Sequence, residues 1–178
     1  MRLFAIFGSL RGQSVNTALL SALAKVAPPE IEVVPWKEMG EIPAFNPDIE
    51  DANEPESVSR LRTRLREADA VIFSTPEYAH GIPGSLKNAL DWVIGSGELS
   101  RKPVVLLNAS TRGIYAQAAL KEVLSTMDAC VMKNMELTID LQGKQLTPTE
   151  IADHPVFAPR LISFLQNIGG LNYDVSAS

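Results

Sequence analysis

Three polar segments of the chain each follow a short apolar run, and the first could bind an anion. Residues 8–17 carry side chains that donate hydrogen bonds: Ser9, Arg11, Ser14, Asn16 and Thr17. Hydroxyl, amide and guanidinium groups donate to phosphate oxygens, as do the free backbone N–H groups at the start of a helix. The segment contains neither a GxGxxG fingerprint nor the glycine-lysine loop of nucleoside triphosphatases. Its hydroxyl-rich composition therefore favours a terminal monophosphate.

The same segment also allows a purely structural interpretation. Ser14 or Asn16 could cap the following helix, while Gly8 and Gly12 permit a tight turn. Capping leaves Arg11 unexplained, so anion binding remains the preferred hypothesis.

The second polar segment, residues 74–92, could hold a flat polar ring. It reads STPEYAHGIPGSLKNALDW, and its prolines and glycines predict a rigid loop that exposes backbone N–H groups beside Tyr78. The alternative is an ordinary helix start after a Pro/Gly turn, with Leu90 and Trp92 in the core. Lys87, Asn88 and Asp91 could then serve helix packing or a subunit contact.

The third polar segment, residues 108–117, is expected to complete the site as a third wall. It contains Ser110, Arg112 and Gly113 and follows the apolar run at residues 104–107.

Alternating strands and helices are predicted to position these three segments. The apolar runs predict strands at residues 2–7, 31–34, 70–73 and 104–107 and around 130–135, and helical spacing predicts helices at 16–26, 56–67, 84–94, 114–127 and 155–168. Residues 35–55 are predicted to form a long loop. This order predicts a doubly wound parallel α/β sheet, which binds ligands beyond the carboxyl ends of its strands. The length predicts one domain over residues 1–171 with a tail at 172–178.

Composition excludes several classes of protein. Sixteen basic against twenty-one acidic residues give a net charge of −5, which argues against a nucleic-acid partner. No apolar run reaches the roughly 18 residues of a membrane span, and the N-terminus does not resemble a signal peptide. The single cysteine, Cys130, is expected to be buried and favours a reducing cytoplasm. With only two histidines, far apart, no metal site is predicted.

The motifs Gly8-Ser9-Leu10-Arg11 and Pro76-Glu77-Tyr78, with the Ile82-Pro83-Gly84 and Asp91-Trp92 that follow, resemble the NAD(P)H-dependent FMN reductases. This flavodoxin-like family includes quinone, chromate and azo-dye reductases. The resemblance implies a five-stranded sheet in the order 2-1-3-4-5 and a homodimer or homotetramer. It also implies that NADPH or NADH reduces FMN, which then reduces a small-molecule acceptor such as a free flavin, quinone, azo compound or chromate.

The resemblance also assigns cofactor-binding residues. The FMN phosphate is expected at Ser9, Arg11, Ser14, Val15, Asn16 and Thr17, and the isoalloxazine ring along Pro76, Glu77, Tyr78 and Ala79, with weaker expectations for Ser110 and Gly113. No protein nucleophile is expected, because the cofactor carries the chemistry. Arg112 could stabilise an anionic reduced flavin or a phosphate of the nicotinamide donor. His80 occupies a variable position of the motif and could simply line the site.

Two alternatives share the predicted architecture. A flavodoxin-type electron carrier usually has a T/S-x-T-G-x-T phosphate loop and a strongly acidic surface. This chain instead has Arg11 in its first loop and a net charge of only −5. A response-regulator domain needs acidic residues after its first and third strands, where this chain has Gly8-Ser9 and Ser74-Thr75. The arginines at positions 60, 62, 64 and 66 are expected to form a solvated helix face.

Overall fold

The computed structural model describes residues 1–11 and 14–170, including all of these side chains except those of residues 51 and 52. Five strands form one parallel sheet: β1 (Arg2–Phe7), β2 (Glu32–Pro35), β3 (Ala70–Ser74), β4 (Pro103–Asn108) and β5 (Cys130–Thr138). Their order is β2-β1-β3-β4-β5, with every neighbouring pair parallel. The predicted fold class and strand order are confirmed.

Seven helices connect or follow the strands in the described part of the chain. They are α1 (Val15–Lys25), α2 (Pro47–Ala52), α3 (Glu56–Glu67), α4 (Gly84–Ile94), α5 (Ile114–Thr126), α6 (Pro148–Ala152) and α7 (Phe157–Gly169). None of the described helices is long and apolar enough to cross a membrane.

Two hydrophobic layers cover the two faces of the sheet. Phe4, Ile6 and Phe73 pack with the apolar faces of α3, α4 and α5, while Leu3 and Ile72 pack with α1 and α7. Successive strand residues thus point into opposite layers, as the continuous apolar runs predicted for strands buried on both faces. The sheet is therefore covered on both sides, and its carboxyl edge remains available for binding.

The predicted long loop at residues 35–55 contains two short helical segments. A 3₁₀ turn spans Met39–Glu41, and α2 follows with Asn46 as its N-cap. Asn88 of α4 holds the segment between them, because its side-chain oxygen accepts from Phe45 N at 2.7 Å and its amide donates to Pro43 O at 2.8 Å. Of the two interpretations of Asn88, these contacts support packing.

The arginine-rich face of α3 is only partly solvated, which corrects the sequence interpretation. Arg62 keeps only 12% of its side chain exposed and forms ion pairs with Glu50 and Glu54. It also donates to Trp92 O at 2.5 Å. The α2 segment, which was predicted as loop, supplies Glu50 and so explains why Arg62 is covered.

The β5 end of the sheet also departs from prediction. β5 runs to Thr138 and is irregular, since Val104 pairs with Val131 but Leu106 pairs with Glu136. Cys130 is exposed, and the expectation that it is buried was wrong. It begins β5, which lies at the edge of the described sheet.

Candidate active site

The loops after β1, β3 and β4 meet at the carboxyl edge of the sheet and enclose a cleft of about 300 Å³. The cleft is lined by Val15 and Asn16 at the start of α1, residues 75–77 from the second loop, residues 108–110, Arg112 and Gly113 from the third, and by Gln117 and Gln142. The sheet edge that doubly wound folds use for ligands therefore carries the three predicted segments together.

Gly8 lets the first loop approach the end of β3 closely. Its N–H donates to Ser74 O at 3.0 Å. A Cβ at this position would lie 2.5 Å from Thr75 Oγ1, which is closer than packed atoms allow. A glycine is thus required by the close approach of the backbone to a neighbouring side chain.

The start of α1 presents polar groups that are only partly used within the protein. Ser14 caps the helix by accepting from Asn16 N at 3.2 Å, and the buried Asn16 accepts from Ser74 Oγ at 3.0 Å. The capping interpretation is therefore correct for Ser14. In contrast, Thr17 Oγ1 is buried in the first turn and has no hydrogen-bond partner among the described residues. A buried polar atom of this kind costs free energy unless a ligand or water satisfies it.

The neighbouring Ser9 and Arg11 have unused donors. Ser9 is 2% exposed, and its hydroxyl oxygen accepts from Arg11 N at 3.2 Å, which leaves the hydroxyl proton for another acceptor. The guanidinium of Arg11 has no hydrogen-bond or ion-pair partner among the described residues. An anion at the α1 N-terminus would find these donors in place.

Arg11 and Arg112 differ from the other arginines of the chain. Seven of the nine interact with another group: Arg2, Arg60, Arg62, Arg64, Arg66, Arg101 and Arg160. Arg11 and Arg112 have side chains without a partner in the described parts of the chain, and both lie in loops at the carboxyl edge of the sheet. The two guanidinium groups therefore place positive charge at this edge of the sheet, where an anionic ligand could pair with them.

The loop after β3 folds back on itself beside the cleft. Tyr78 and Gly81 exchange two backbone hydrogen bonds of 3.0 and 2.9 Å. The two residues between them, Ala79 and His80, have φ angles of 48° and 60°. Positive φ at both central positions matches the tight hairpin turn that usually contains Asn or Gly. Neither residue here is glycine, so the turn carries backbone strain.

Two contacts connect this loop to α5. Glu77 Oε2 accepts from the backbone N–H groups of Tyr115 and Ala116, both at 2.9 Å. The ring of His80 stacks on the ring of Tyr115, with centroids 4.3 Å apart and an angle of 24° between the planes. His80 thus belongs to the rim of the site, where it contacts the wall that the third loop forms.

The third loop is shaped by local hydrogen bonds. Ser110 Oγ accepts from Arg112 N at 3.1 Å, which turns the chain toward Gly113. The buried Asn108 donates to Thr138 Oγ1 at 3.4 Å and so links the ends of β4 and β5. Arg112 faces the cleft from this loop.

The structure separates the predicted binding residues into two groups. Those that line the cleft directly are Val15, Asn16, Pro76, Glu77, Ser110 and Gly113. The others lie in the same loops or first helical turn without lining it: Ser9, Arg11, Ser14, Thr17, Tyr78 and Ala79.

Five lining residues had no predicted role: Thr75, Asn108, Ala109, Gln117 and Gln142. Thr75 and Asn108 closely follow the predicted strands at residues 70–73 and 104–107, so their place at the carboxyl edge could have been inferred from the sequence. Gln142 follows β5 in a segment without a motif, so its position could not be inferred from the sequence.

These residues satisfy the requirements of an FMN phosphate and ring. The α1 N-terminus offers the unsatisfied Thr17 Oγ1 and the free guanidinium of Arg11, which suit a doubly charged phosphate. The adjoining cleft has walls of mixed polarity, including Pro76 and Asn108, which suit a ring with polar edges.

Comparison with known proteins identifies the family. The model of the NADPH-dependent FMN reductase family matches residues 1–144. A quinone reductase of Escherichia coli strain K12 is 34% identical over 142 residues, which is 76% of each chain. An NAD(P)H-dependent FMN reductase of Pseudomonas aeruginosa is 34% identical over 158 residues, covering 82% of this chain and 85% of that one. The structure of FerB, a flavoenzyme NAD(P)H:(acceptor) oxidoreductase of Paracoccus denitrificans, superposes with a TM-score of 0.73 at 28% identity over 93% of each chain.

The resemblance noted in the sequence motifs is thereby confirmed. The chain is a flavodoxin-like oxidoreductase and belongs to the NADPH-dependent FMN reductase family.

Proposed function

We propose that this protein holds FMN in the cleft at the carboxyl edge of its sheet and uses NAD(P)H to reduce a quinone-type acceptor. The observation that carries the proposal is the α1 N-terminus beside the cleft, where Thr17 Oγ1 is buried and neither it nor the Arg11 guanidinium has a partner within residues 1–11 and 14–170. A phosphate at this position would satisfy both groups.

The binding roles follow the three loops. Ser9, Arg11, Ser14, Val15, Asn16 and Thr17 hold the phosphate, residues 76–79 bind along the ring, and Ser110 and Gly113 form the opposite wall. Asn16 Oδ1 accepts from Ser74 Oγ, which leaves the NH2 group of the same side chain to donate to the cofactor. FMN supplies the hydride-accepting chemistry when bound, so the protein needs no nucleophile of its own. Donor and acceptor use the cofactor in turn, which predicts ping-pong kinetics.

A quinone is the proposed acceptor class because relatives from Escherichia coli and Pseudomonas putida are named quinone reductases. A relative from Burkholderia is named 2-hydroxy-1,4-benzoquinone reductase. The competing acceptors are free flavin, azo dyes and chromate. Steady-state kcat/KM values for a benzoquinone, free FMN, an azo dye and chromate would rank these classes, and a higher value for any of the last three would replace the quinone.

The first experiment is a visible spectrum of the FMN-reconstituted protein before and after NADPH is added without oxygen. Bleaching of bound flavin would establish the half-reaction with the donor, and the same titration with NADH would rank the two donors. Bound flavin that stays oxidised with both donors would favour an electron carrier. A protein that binds no FMN would contradict the proposed function.

We also propose a cytoplasmic location and a homodimer or homotetramer. The location is supported by the single cysteine, which is free in the structure. The oligomer is supported by apolar side chains exposed around the cleft, among them Leu10, Ile114 and Tyr115.

A further inference from the structure

The N-terminus of α5 is capped by a residue from another part of the chain. Gly113 is the N-cap residue and has no side chain that could accept a hydrogen bond from the helix start. The N–H groups of Tyr115 and Ala116 instead donate to Glu77 Oε2, which comes from the loop after β3, 38 residues before Tyr115. A helix start offers four N–H groups without helical partners, and a carboxylate there also complements the helix dipole.

Glu77 connects two walls of the same cleft. The residue lines the cleft next to Thr75 and Pro76, whereas its carboxylate reaches across to the helix that follows Gly113. The position of the third loop therefore depends on a side chain of the second loop.

His80 provides a second connection between these walls. Its ring stacks on Tyr115, the residue whose N–H also donates to Glu77. His80 lies in the left-handed turn, with a φ angle of 60°. Two adjacent side-chain contacts thus hold the start of α5 against the loop after β3.

We propose that Glu77 is a positioning residue, whose carboxylate fixes the start of α5 and thereby the width of the cofactor cleft. This role differs from a direct side-chain contact with FMN. The effect on FMN rests on the proposed function, whereas the effect on α5 is a property of the protein without cofactor.

Three substitutions separate hydrogen bonding from charge. Glu77→Gln keeps an oxygen that can accept from both N–H groups but removes the charge, and Glu77→Ala removes the acceptor. Glu77→Asp keeps the charge on a side chain one methylene shorter. The matched control is Glu150→Ala, which removes another carboxylate cap, at Thr147 before α6, away from the cleft.

The first readout is hydrogen exchange of the Tyr115 and Ala116 amides in the FMN-free protein. We expect Glu77→Ala to accelerate exchange at both amides by about tenfold or more, since local opening of the helix start becomes easier. Glu77→Gln keeps the acceptor but loses the interaction with the helix dipole, so exchange should be much slower than in Glu77→Ala. Glu77→Asp should lie between wild type and Glu77→Ala, and Glu150→Ala should leave both amides unchanged.

The second readout is the FMN dissociation constant from fluorescence titration. We expect Glu77→Ala to weaken FMN binding by about tenfold or more and Glu77→Gln to remain within about threefold of wild type. Glu150→Ala should lower the melting temperature without changing FMN affinity, which separates positioning from general loss of stability.

The proposal is overturned if exchange at the two amides is the same in Glu77→Ala and wild type. It is also overturned if Glu77→Gln loses as much FMN affinity as Glu77→Ala while exchange at the two amides stays at the wild-type level, because the charge would then act on FMN and not through α5. If Glu77→Ala does not fold, Glu77→Asp takes its place in both criteria. It is then compared with wild type for amide exchange and with Glu77→Gln for FMN affinity. A wild-type protein that binds no FMN would refute the proposed function, whereas the exchange result would still decide the role of Glu77 at α5.

Discussion

Individual side chains at the carboxyl edge differ in how completely their polar groups are satisfied. Asn16 and Ser14 are engaged in internal hydrogen bonds, so part of their role is structural. Ser9, Arg11 and Thr17 keep donors without internal partners in the described residues. The unsatisfied groups, more than the satisfied ones, indicate where a ligand adds stability.

Removal of two of these donors should weaken FMN binding. Each charge-assisted hydrogen bond contributes roughly 1.5–3 kcal/mol, so Ser9→Ala combined with Arg11→Ala should raise the FMN dissociation constant by roughly 100-fold or more. Isothermal titration calorimetry would measure the change. Arg64→Ala removes an exposed arginine from α3, away from the cleft, and should leave affinity unchanged. Wild-type affinity in the double variant would refute the phosphate assignment.

The unpaired guanidinium of Arg112 should act on bound flavin or on the nicotinamide donor. Arg112→Ala removes a positive charge from the cleft, so binding of reduced FMN should weaken relative to oxidised FMN and the two-electron midpoint potential should fall. Each tenfold change in the ratio of the two dissociation constants corresponds to about 30 mV. If Arg112 binds a donor phosphate instead, the KM for NADPH should rise. Spectroelectrochemistry and steady-state kinetics distinguish these results, and Arg112→Lys should restore part of either effect. No change in either quantity would refute a role for Arg112.

Among the secondary structure elements, the turn at Ala79 and His80 is the most strained part of the site. Both residues adopt positive φ, which costs L-amino acids roughly 1–2 kcal/mol each. Strain of this kind persists only where surrounding contacts hold it, here the Tyr78–Gly81 bonds and the His80–Tyr115 stack.

Relief of this strain should stabilise the protein. Ala79→Gly should raise the free energy of unfolding by about 0.5–1 kcal/mol, which corresponds to a melting temperature about 1–4 °C higher. Differential scanning fluorimetry would measure it. Ala118→Gly, on the exposed side of α5, is the control and should destabilise the protein, because its backbone is helical. A lower melting temperature for Ala79→Gly would show that the methyl group of Ala79 stabilises the protein by more than the positive φ destabilises it.

The cap of α6 should make stability depend on pH. Hydrogen bonds from Thr147 lower the pKa of the exposed Glu150 below its ordinary value of 4.5. A lowered folded-state pKa gives stability that is present above pH 4.5 and is lost as the pH falls through the folded pKa. Wild type should therefore be more stable than Glu150→Gln at pH 7, and the difference in melting temperature should shrink toward pH 3.

Glu122→Gln provides the control for this pH dependence. It removes a carboxylate whose side chain has no hydrogen-bond or ion-pair partner in the described part of the chain. Its difference from wild type should stay nearly constant over the same range. A constant difference for Glu150→Gln would contradict the link between the cap and the pKa.

At the scale of the whole molecule, exposed apolar side chains concentrate around the cleft. Leu10, Val15, Tyr78, Ile114 and Tyr115 are each at least 36% exposed and belong to the loops or helix starts at the carboxyl edge. A patch of this composition is typical of a protein interface.

Association through this patch should be measurable in solution. Light scattering coupled to size-exclusion chromatography should give the mass of a homodimer or homotetramer, and Ile114→Glu should shift it toward the monomer. Ile162→Glu, on the outer side of α7, should have no such effect. A monomeric wild-type protein at micromolar concentration would refute the proposed oligomer.

The order of the five strands and of the five longer helices, and the three binding loops, could be predicted from the sequence, whereas the short helices α2 and α6 were not. Continuous apolar runs such as residues 70–73 specify strands buried on both faces, and hydroxyl-rich or proline-rich loops after them mark the binding edge. These signals are local, so each can be recognised within a few residues of the chain.

Only the tertiary structure decided which distant residues meet. Glu77 caps α5 across 38 residues, Arg62 is covered by the α2 segment, and Cys130 is exposed at the sheet edge. None of these three features follows from the periodicity of the sequence, because each depends on how separate elements pack in space. Local patterning thus determined the elements and the chemical character of the loops, whereas packing between elements determined the partners and exposure of individual side chains.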